Sequence, residues 1–439
     1  MPRVVVISPP FASHARPLSI LAAALAHAGA EVHFACSEAF AGLASRAGVH
    51  FEPLTVTRNA NTGVAESTKQ QGAERRRLLE FFAATRAGAV PALVTQARHR
   101  RADMMADPGH VLDALRAVDA RLRPDWYVVD QLSYSATLAL HCLGARYAAF
   151  CPGHPSYVLA EPDQWFGVPY DWPEALRPAP QPLRELMEAA QDNDSAFTVL
   201  FEEFIRERAP RVPLVERAFA LTSSSAVVYA YPPLPWLPRA PKAPQSIYAG
   251  HMVGEAESLD AEWRGRVAEL RERADLVVLV ALGTFLSVRD DVLRTVVEGV
   301  LRMDTRAAVI VAAGERVAAL NDLAGERVLV ARSVPQQALL RHVDVMVHHG
   351  GGNSFTECLQ AAVPALVLPF SSDQFAIARD AERTGVGIVR DPNTLCPEEV
   401  ASTLATLATA ARPDMLKWTA CTQSRGPHFA ASRLLSAMD

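Results

Sequence analysis

Val343-Asp344-Val345-Met346-Val347-His348-His349-Gly350-Gly351-Gly352-Asn353-Ser354 is the run from which the rest of this chain can be read. The apolar stretch from Val343 to Val347 predicts a strand that ends in two histidines and three glycines. Asn353 and Ser354 then open an amphipathic helix. Glycines let a ligand approach the backbone closely. A helix start adds unpaired N–H groups and a partial positive charge, so strand, glycine turn and helix together form a cradle for a phosphorylated ligand. His349, and the backbone around Gly351, Asn353 and Ser354, are the expected donors.

Outward from the cradle, Glu357 lies one turn into the helix on the same side as Ser354. Its carboxylate can accept from both hydroxyls of a ribose, and it suits a capping box with Ser354 equally well. After the next predicted strand, Ala365 to Leu368, Asp373 and Gln374 present an acid beside an amide. That pair fits sugar hydroxyls, or Asp373 is an ordinary helix N-cap.

Strands and helices alternate on both sides of this region, which predicts α/β domains with parallel sheets. In the amino-terminal half the pattern is Val4–Ser8, a helix over Arg16–Ala28, and Val32–Ala35. Farther on come Trp126–Val129, a helix from Ser133 to Leu143, and Tyr147–Phe150. A second series runs through Leu276–Leu282, Ala307–Ala312, Val328–Val330, Val343–His348 and Ala365–Leu368. Between them, Tyr231–Gln245 is too rich in proline to continue helix or sheet, and it predicts a stiff linker. The expected division is 1–231, a linker over 232–246, a second domain over 247–412, and 413–439 as a carboxy-terminal helix. At 439 residues, two cores are the natural expectation.

Half the residues are hydrophobic and 21% are charged, as in ordinary globular proteins. The net charge of −5 gives no general attraction to nucleic acid or an anionic membrane. The arginines at 75–77 and at 98, 100 and 101 lie in helical sequence and are read as solvated faces. Six cysteines without Cys-x-x-Cys spacing are read as reduced thiols. With no signal-like start and no membrane-length apolar run, a soluble cytoplasmic protein is expected. Its oligomeric state is left open, a homodimer included.

Taken in order, Val334-Pro335-Gln336, His349-x-Gly351-x-Asn353-Ser354-x-x-Glu357, Val363-Pro364 and Asp373-Gln374 resemble the donor signature of family 1 glycosyltransferases. The resemblance covers most of the chain. It implies the GT-B fold, in which two doubly wound, Rossmann-like domains face across a cleft. The donor, a UDP- or dTDP-sugar, would bind the second domain and a small-molecule acceptor the first, and the last helix would cross back to the first domain. The opening Pro9-Pro10-Phe11-Ala12-Ser13-His14 is also similar to bacterial natural-product and zeaxanthin glucosyltransferases.

What the resemblance implies for individual residues is specific. His14, with Pro17, matches the base that deprotonates the acceptor, although Ser13 replaces a glycine. Asp130 matches its partner acid, against a rival reading as N-cap of the helix near Ser133. Thr284, after Leu282-Gly283, matches a diphosphate-binding hydroxyl. Gln336 and the Val334 backbone would read the nucleobase, but Ser333 stands where the family has a stacking aromatic, which leaves uridine and thymidine open. The aromatic stretch 163–172, with Trp165, Phe166 and Trp172, is read as acceptor wall together with Phe11, or else as packing. No cofactor beyond the co-substrate is expected. With no Asp-x-Asp triad in these loops, no metal is expected either.

The resulting expectation is an inverting hexosyltransferase acting on an apolar small-molecule acceptor such as a secondary metabolite. Two alternatives stay open: a nucleotide-sugar 2-epimerase of the same architecture, and a non-catalytic donor-binding homologue.

Overall fold

The computed structural model describes residues 1–57, 72–105, 107–238, 245–254, 258–303, 305–410 and 413–438. Two fully parallel sheets organise them. The first has the order β3-β2-β1-β4-β5-β6-β7. Its strands are β1 (Arg3–Ile7), β2 (Glu31–Cys36), β3 (His50–Pro53), β4 (Trp126–Asp130), β5 (Tyr147–Cys151), β6 (Ala226–Tyr229) and β7 (Gln245–Tyr248). The second sheet has the order β10-β9-β8-β11-β12-β13. It contains β8 (Leu276–Ala281), β9 (Ala307–Ala312), β10 (Val328–Ala331), β11 (Val345–His348), β12 (Ala365–Val367) and β13 (Gly387–Val389).

Why these segments are strands is plain from their composition. Val4 to Ile7 and Val277 to Val280 are completely buried, because helices cover both faces of each sheet. β-branched side chains suit that double-sided packing. In both sheets the chain reverses its order of addition at one point, between β1 and β4 in the first and between β8 and β11 in the second. The carboxyl ends of strands at such switch points are where ligands bind in open α/β sheets. The register Ile7↔Val129 brings the loop before His14 beside Asp130, and Ala281↔His348 brings Gly283 beside His349.

β7 corrects the expected boundary. It pairs with β6 and so closes the first sheet, although 245–246 were assigned to the linker and 247–248 to the second domain. Part of the proline-rich stretch, 239–244, lies outside the described residues. Its start is no simple spacer: Tyr231, Leu234 and Leu237 are buried in a core that also includes Val277, Met346 and Phe355 of the second domain. The helix Pro427–Met438 returns to the first domain, where Ala430, Ala431 and Leu434 pack with Leu18, Leu21 and Leu25. The Trp126 indole N–H donates to the Met438 carbonyl at 3.2 Å. Among the described residues, no helix is long and apolar enough to cross a membrane.

The second domain depends on one close helix contact. Gly299, in the helix Asp290–Leu301, faces the helix Pro397–Thr409; a Cβ there would lie 2.5 Å from Val400 Cβ and 2.8 Å from the Pro397 carbonyl oxygen. Gly299→Ala gains helix propensity but overpacks this contact, so a net loss of about 1–3 kcal/mol is expected from urea unfolding. Adding Val400→Gly, which removes the clashing Cβ, should make the double loss smaller than the sum of the two single losses, because the two positions share one contact. Additive losses would show that the contact does not limit stability.

Candidate active site

Phe11 precedes the first helix, Ala12–His27, and its ring centroid lies 5.8 Å from that of His14. One turn into this helix, His14 Nδ1 is 2.9 Å from Asp130 Oδ2. Asp130 is fully buried, and its Oδ1 accepts the Leu132 N–H at 2.9 Å. The rival N-cap role fails, because Ser133 caps the helix Tyr134–Leu143 and no side chain satisfies that cap. With Nδ1 engaged, the other ring nitrogen of His14 has no hydrogen-bond partner among the described residues, and the side chain is 19% exposed. Burial pushes the His14 pKa down, but the charge and hydrogen bond of Asp130, with a further contribution from Asp373, more than reverse this. The net shift is upward from 6.5.

The glycine cradle opposes this dyad. Its helix is Gly352–Ala361 with Gly351 at the cap, so it begins slightly before the expected Asn353. The Asn353 amide donates to the Ser13 carbonyl at 3.2 Å, joining the cradle to the loop just before His14. The His349 ring lies between two glycines: a Cβ at Gly283 would come within 2.6 Å of it, and one at Gly351 equally close. Gly283 also has φ +77°, which a side chain would strain. Burial pushes His349 down to about 4, and its Nδ1 has no partner among the described residues. His348 is fully buried, and its Nδ1 accepts the Gly350 N–H at 3.0 Å. Thr284 is in the short helix Gly283–Leu286, and its side chain lies outside the described residues.

Beyond the cradle, Gln336 follows Val334, whose carbonyl accepts the Gln336 N–H at 2.9 Å. The Gln336 amide donates to Glu357 at 2.6 Å and to the Ser354 hydroxyl at 3.2 Å. Gln337, which the sequence did not single out, donates to the other Glu357 oxygen at 2.9 Å. Glu357 is therefore not in a capping box, since the cap of its helix is Gly351. Burial raises its pKa, and the two amides together with the Arg16 charge only partly oppose that rise.

Asp373 and Gln374 are also engaged by protein groups. Asp373 precedes the helix Gln374–Arg383 without capping it; its Oδ2 accepts the His154 N–H at 2.8 Å. Gln374 Oε1 accepts the Phe370 and Ser371 N–H groups at 2.9 and 3.1 Å.

The aromatic stretch is mostly consumed by packing. Phe166 stacks on Phe219 at 4.6 Å, and Trp172 packs on Phe375 at 5.2 Å. Both rings are buried, as the packing alternative expects. Trp165 is half-buried, with the Arg217 guanidinium 4.7 Å from its ring centroid. Arg100 is likewise no solvated residue: it is 7% exposed, donates to the Phe166 carbonyl at 3.0 Å and lies over the Phe166 ring. Among the described residues, no group of three or more His, Cys, Asp or Glu side chains is placed to hold a metal ion.

Two parallel sheets whose switch-point loops meet, with a histidine dyad on one side and a glycine cradle on the other, have the arrangement of the GT-B fold. Solved structures of that class match the whole chain. The glycotransferase of kitacinnamycin is 21% identical with a TM-score of 0.71, covering 100% of this chain and 99% of that one. The glycosyltransferase VinC, solved in complex with dTDP, is 20% identical with a TM-score of 0.64, covering 99% of each chain.

More particularly, residues 294–414 match the family described as erythromycin biosynthesis protein CIII-like, C-terminal domain. Among sequence relatives, a sterol 3-beta-glucosyltransferase of Penicillium rubens is 31% identical over 131 residues, 28% of this chain. An uncharacterized UDP-glucosyltransferase of Bacillus subtilis, YojK, is 29% identical over 113 residues, 26% of this chain. The matched segment spans only 9% of the Penicillium protein and 28% of YojK. Over residues 294–414 the chain is thus similar to EryCIII-like carboxy-terminal domains, and over its whole length it shares the fold of the solved glycosyltransferases.

Proposed function

We propose that this protein is an inverting glycosyltransferase that moves a hexose from a UDP- or dTDP-sugar to a hydroxyl of an apolar small molecule. The observation that carries the reading is the pairing of His14 with Asp130 at 2.9 Å, on a wall joined to the glycine cradle through Asn353 and Ser13. A histidine whose Nδ1 is held by a buried carboxylate presents its other nitrogen as a base. It takes the acceptor proton while the hydroxyl oxygen attacks the anomeric carbon from the face opposite the diphosphate. The departing diphosphate gains negative charge, which the helix start at Gly352, His349 and Thr284 would stabilise. Gln336, Ser354 and Glu357 would receive the nucleoside. Asp373, through the carboxylate oxygen that does not accept from His154, and Gln374, through its amide NH₂ group, would hold the sugar hydroxyls.

The relatives support both halves of this reading. VinC was solved with dTDP, the bacterial relative is described as a UDP-glucosyltransferase, and the fungal one acts on a sterol. Sterols and other apolar hydroxylated metabolites are the natural first panel.

The test is incubation with UDP-glucose and dTDP-glucose against such acceptors, read by mass spectrometry for an added hexose and by NMR for anomeric configuration. A β-linked product from these α-linked donors is expected. An α-linked product would remove the inverting step. Isomerised donor in the absence of acceptor would instead favour a 2-epimerase.

A further inference from the structure

His154 follows β5 in Cys151-Pro152-Gly153-His154-Pro155 and is 1% exposed. Both of its hydrogen-bonding ends meet one helix of the other domain, Gln374–Arg383. Its backbone N–H donates to Asp373 at the start of that helix, at 2.8 Å. Its Nε2 lies 3.1 Å from Asp380 Oδ2, about two turns farther along. Nδ1 accepts the Ser156 N–H at 3.1 Å, which leaves Nε2 to carry the proton that goes to Asp380.

Asp380 is 3% exposed and gathers two more donors from the segment leading into the linker. Tyr231 Oη donates to it at 2.8 Å and Trp236 Nε1 at 2.7 Å. Burying a carboxylate is costly unless donors surround it, and an apolar contact would hold two domains together as firmly. What such a cluster adds is one fixed placement, because its geometry is satisfied in a single register. Gly153 completes the arrangement: a Cβ there would lie 2.3 Å from Asp373 Oδ2, so the approach of Asp373 to this loop requires glycine.

We propose that His154 is a positioning residue that fixes the Gln374–Arg383 helix, and so Asp373, relative to the wall carrying His14. This inference rests on the transferase reading above, in which the start of that helix holds the donor sugar. Unlatching the helix displaces the sugar from the base and the acceptor, and small misplacements of reacting groups cost large factors in rate. The nucleoside end, formed by Gln336, Ser354 and Glu357, makes no hydrogen bond to His154, so nucleotide affinity stays near the parent value.

The test compares His154→Ala with His154→Gln in the full chain. Glutamine can place its amide N–H where Nε2–H stands, and both variants keep the backbone N–H to Asp373. His154→Ala is expected to bind dTDP and UDP within about threefold of the parent while kcat falls about 10–100-fold. His154→Gln should recover most of that loss. Amide exchange in the Gln374–Arg383 helix should quicken in the alanine variant and return in the glutamine one. If His154→Ala does not fold, Trp236→Phe removes one donor to Asp380 and should lower kcat by about threefold or more at unchanged dTDP affinity.

Parent kcat in the alanine variant overturns the proposal. So does an equal loss of dTDP affinity and kcat that glutamine fails to restore. A parent that binds dTDP but transfers no sugar would remove the transferase reading, while the exchange data would still decide whether the latch exists.

Discussion

His14→Ala is expected to reduce kcat/KM about 10²–10⁴-fold, the range a positioned general base contributes, while dTDP and UDP bind as before. The separation follows from geometry. His14 touches the cradle only through its neighbour: it is the Ser13 carbonyl, not the imidazole, that accepts from Asn353 at 3.2 Å. In the proposed reading nucleotide affinity resides in the second domain, whereas the loss falls on proton removal in the first. Alanine also leaves Asp130 buried with the Leu132 N–H as its remaining hydrogen-bond partner among the described residues. A stability loss of about 1–3 kcal/mol accompanies that change. Activity must therefore be compared at a temperature where melting shows both proteins folded. Transfer by folded His14→Ala at the parent rate would falsify the base assignment.

The dyad is legible in the sequence through the family resemblance, and topology gives the physical reason that it can form. His14 and Asp130 are 116 residues apart, yet each lies just beyond or at the end of an apolar run, and parallel strands bring such ends to one edge. The cradle is legible for a different reason. Glycines, a preceding apolar run and a following amphipathic helix are all local signals, and His349 between Gly283 and Gly351 fulfils them. Short strands escape such reading. β6, β7 and β13 have three or four residues each, too few to establish a period, and the strands beside them decide their fate.

Glu357, Asp373 and Arg100 show where local reasoning stops. For the two acids the sequence offered a ligand or a helix cap, and the structure gives each a distant protein donor rather than a capping bond: Gln336 and Gln337 for one, His154 for the other. Arg100 belongs to a basic cluster that reads as solvated, but the loop around Phe166 covers it. A Cβ at Gly167 would lie 1.7 Å from its guanidinium, so a glycine far away in sequence decides its burial. Contacts between segments distant in the chain have no spacing to betray them. The Cys-Pro-Gly-His-Pro run was nonetheless available as a signal. A histidine just past the carboxyl end of a strand adjacent to β4 sits on the same sheet edge as Asp130.

Asp130→Asn should both slow the enzyme and move its pH profile, in directions that can be derived. The base must be unprotonated, so kcat/KM falls as pH drops through the His14 pKa. In the parent that pKa lies above 6.5, because the Asp130 charge and hydrogen bond, with Asp373, outweigh burial. Asparagine removes the Asp130 charge and leaves the burial, so the acid limb should shift to lower pH. The rate at the plateau should nevertheless fall by on the order of 10²-fold or more. One oxygen of Asp130 accepts the Leu132 N–H, and the amide oxygen of asparagine must keep that bond. Its NH₂ group then faces His14 Nδ1, which has to become an acceptor, and the ring proton is driven to Nε2. The nitrogen turned toward the acceptor thus carries a proton when it needs a lone pair. The opposite amide orientation would set NH₂ against the Leu132 N–H, donor against donor. An acid limb that stays in place, or a plateau rate equal to the parent's, would show that Asp130 neither charges nor orients the imidazole.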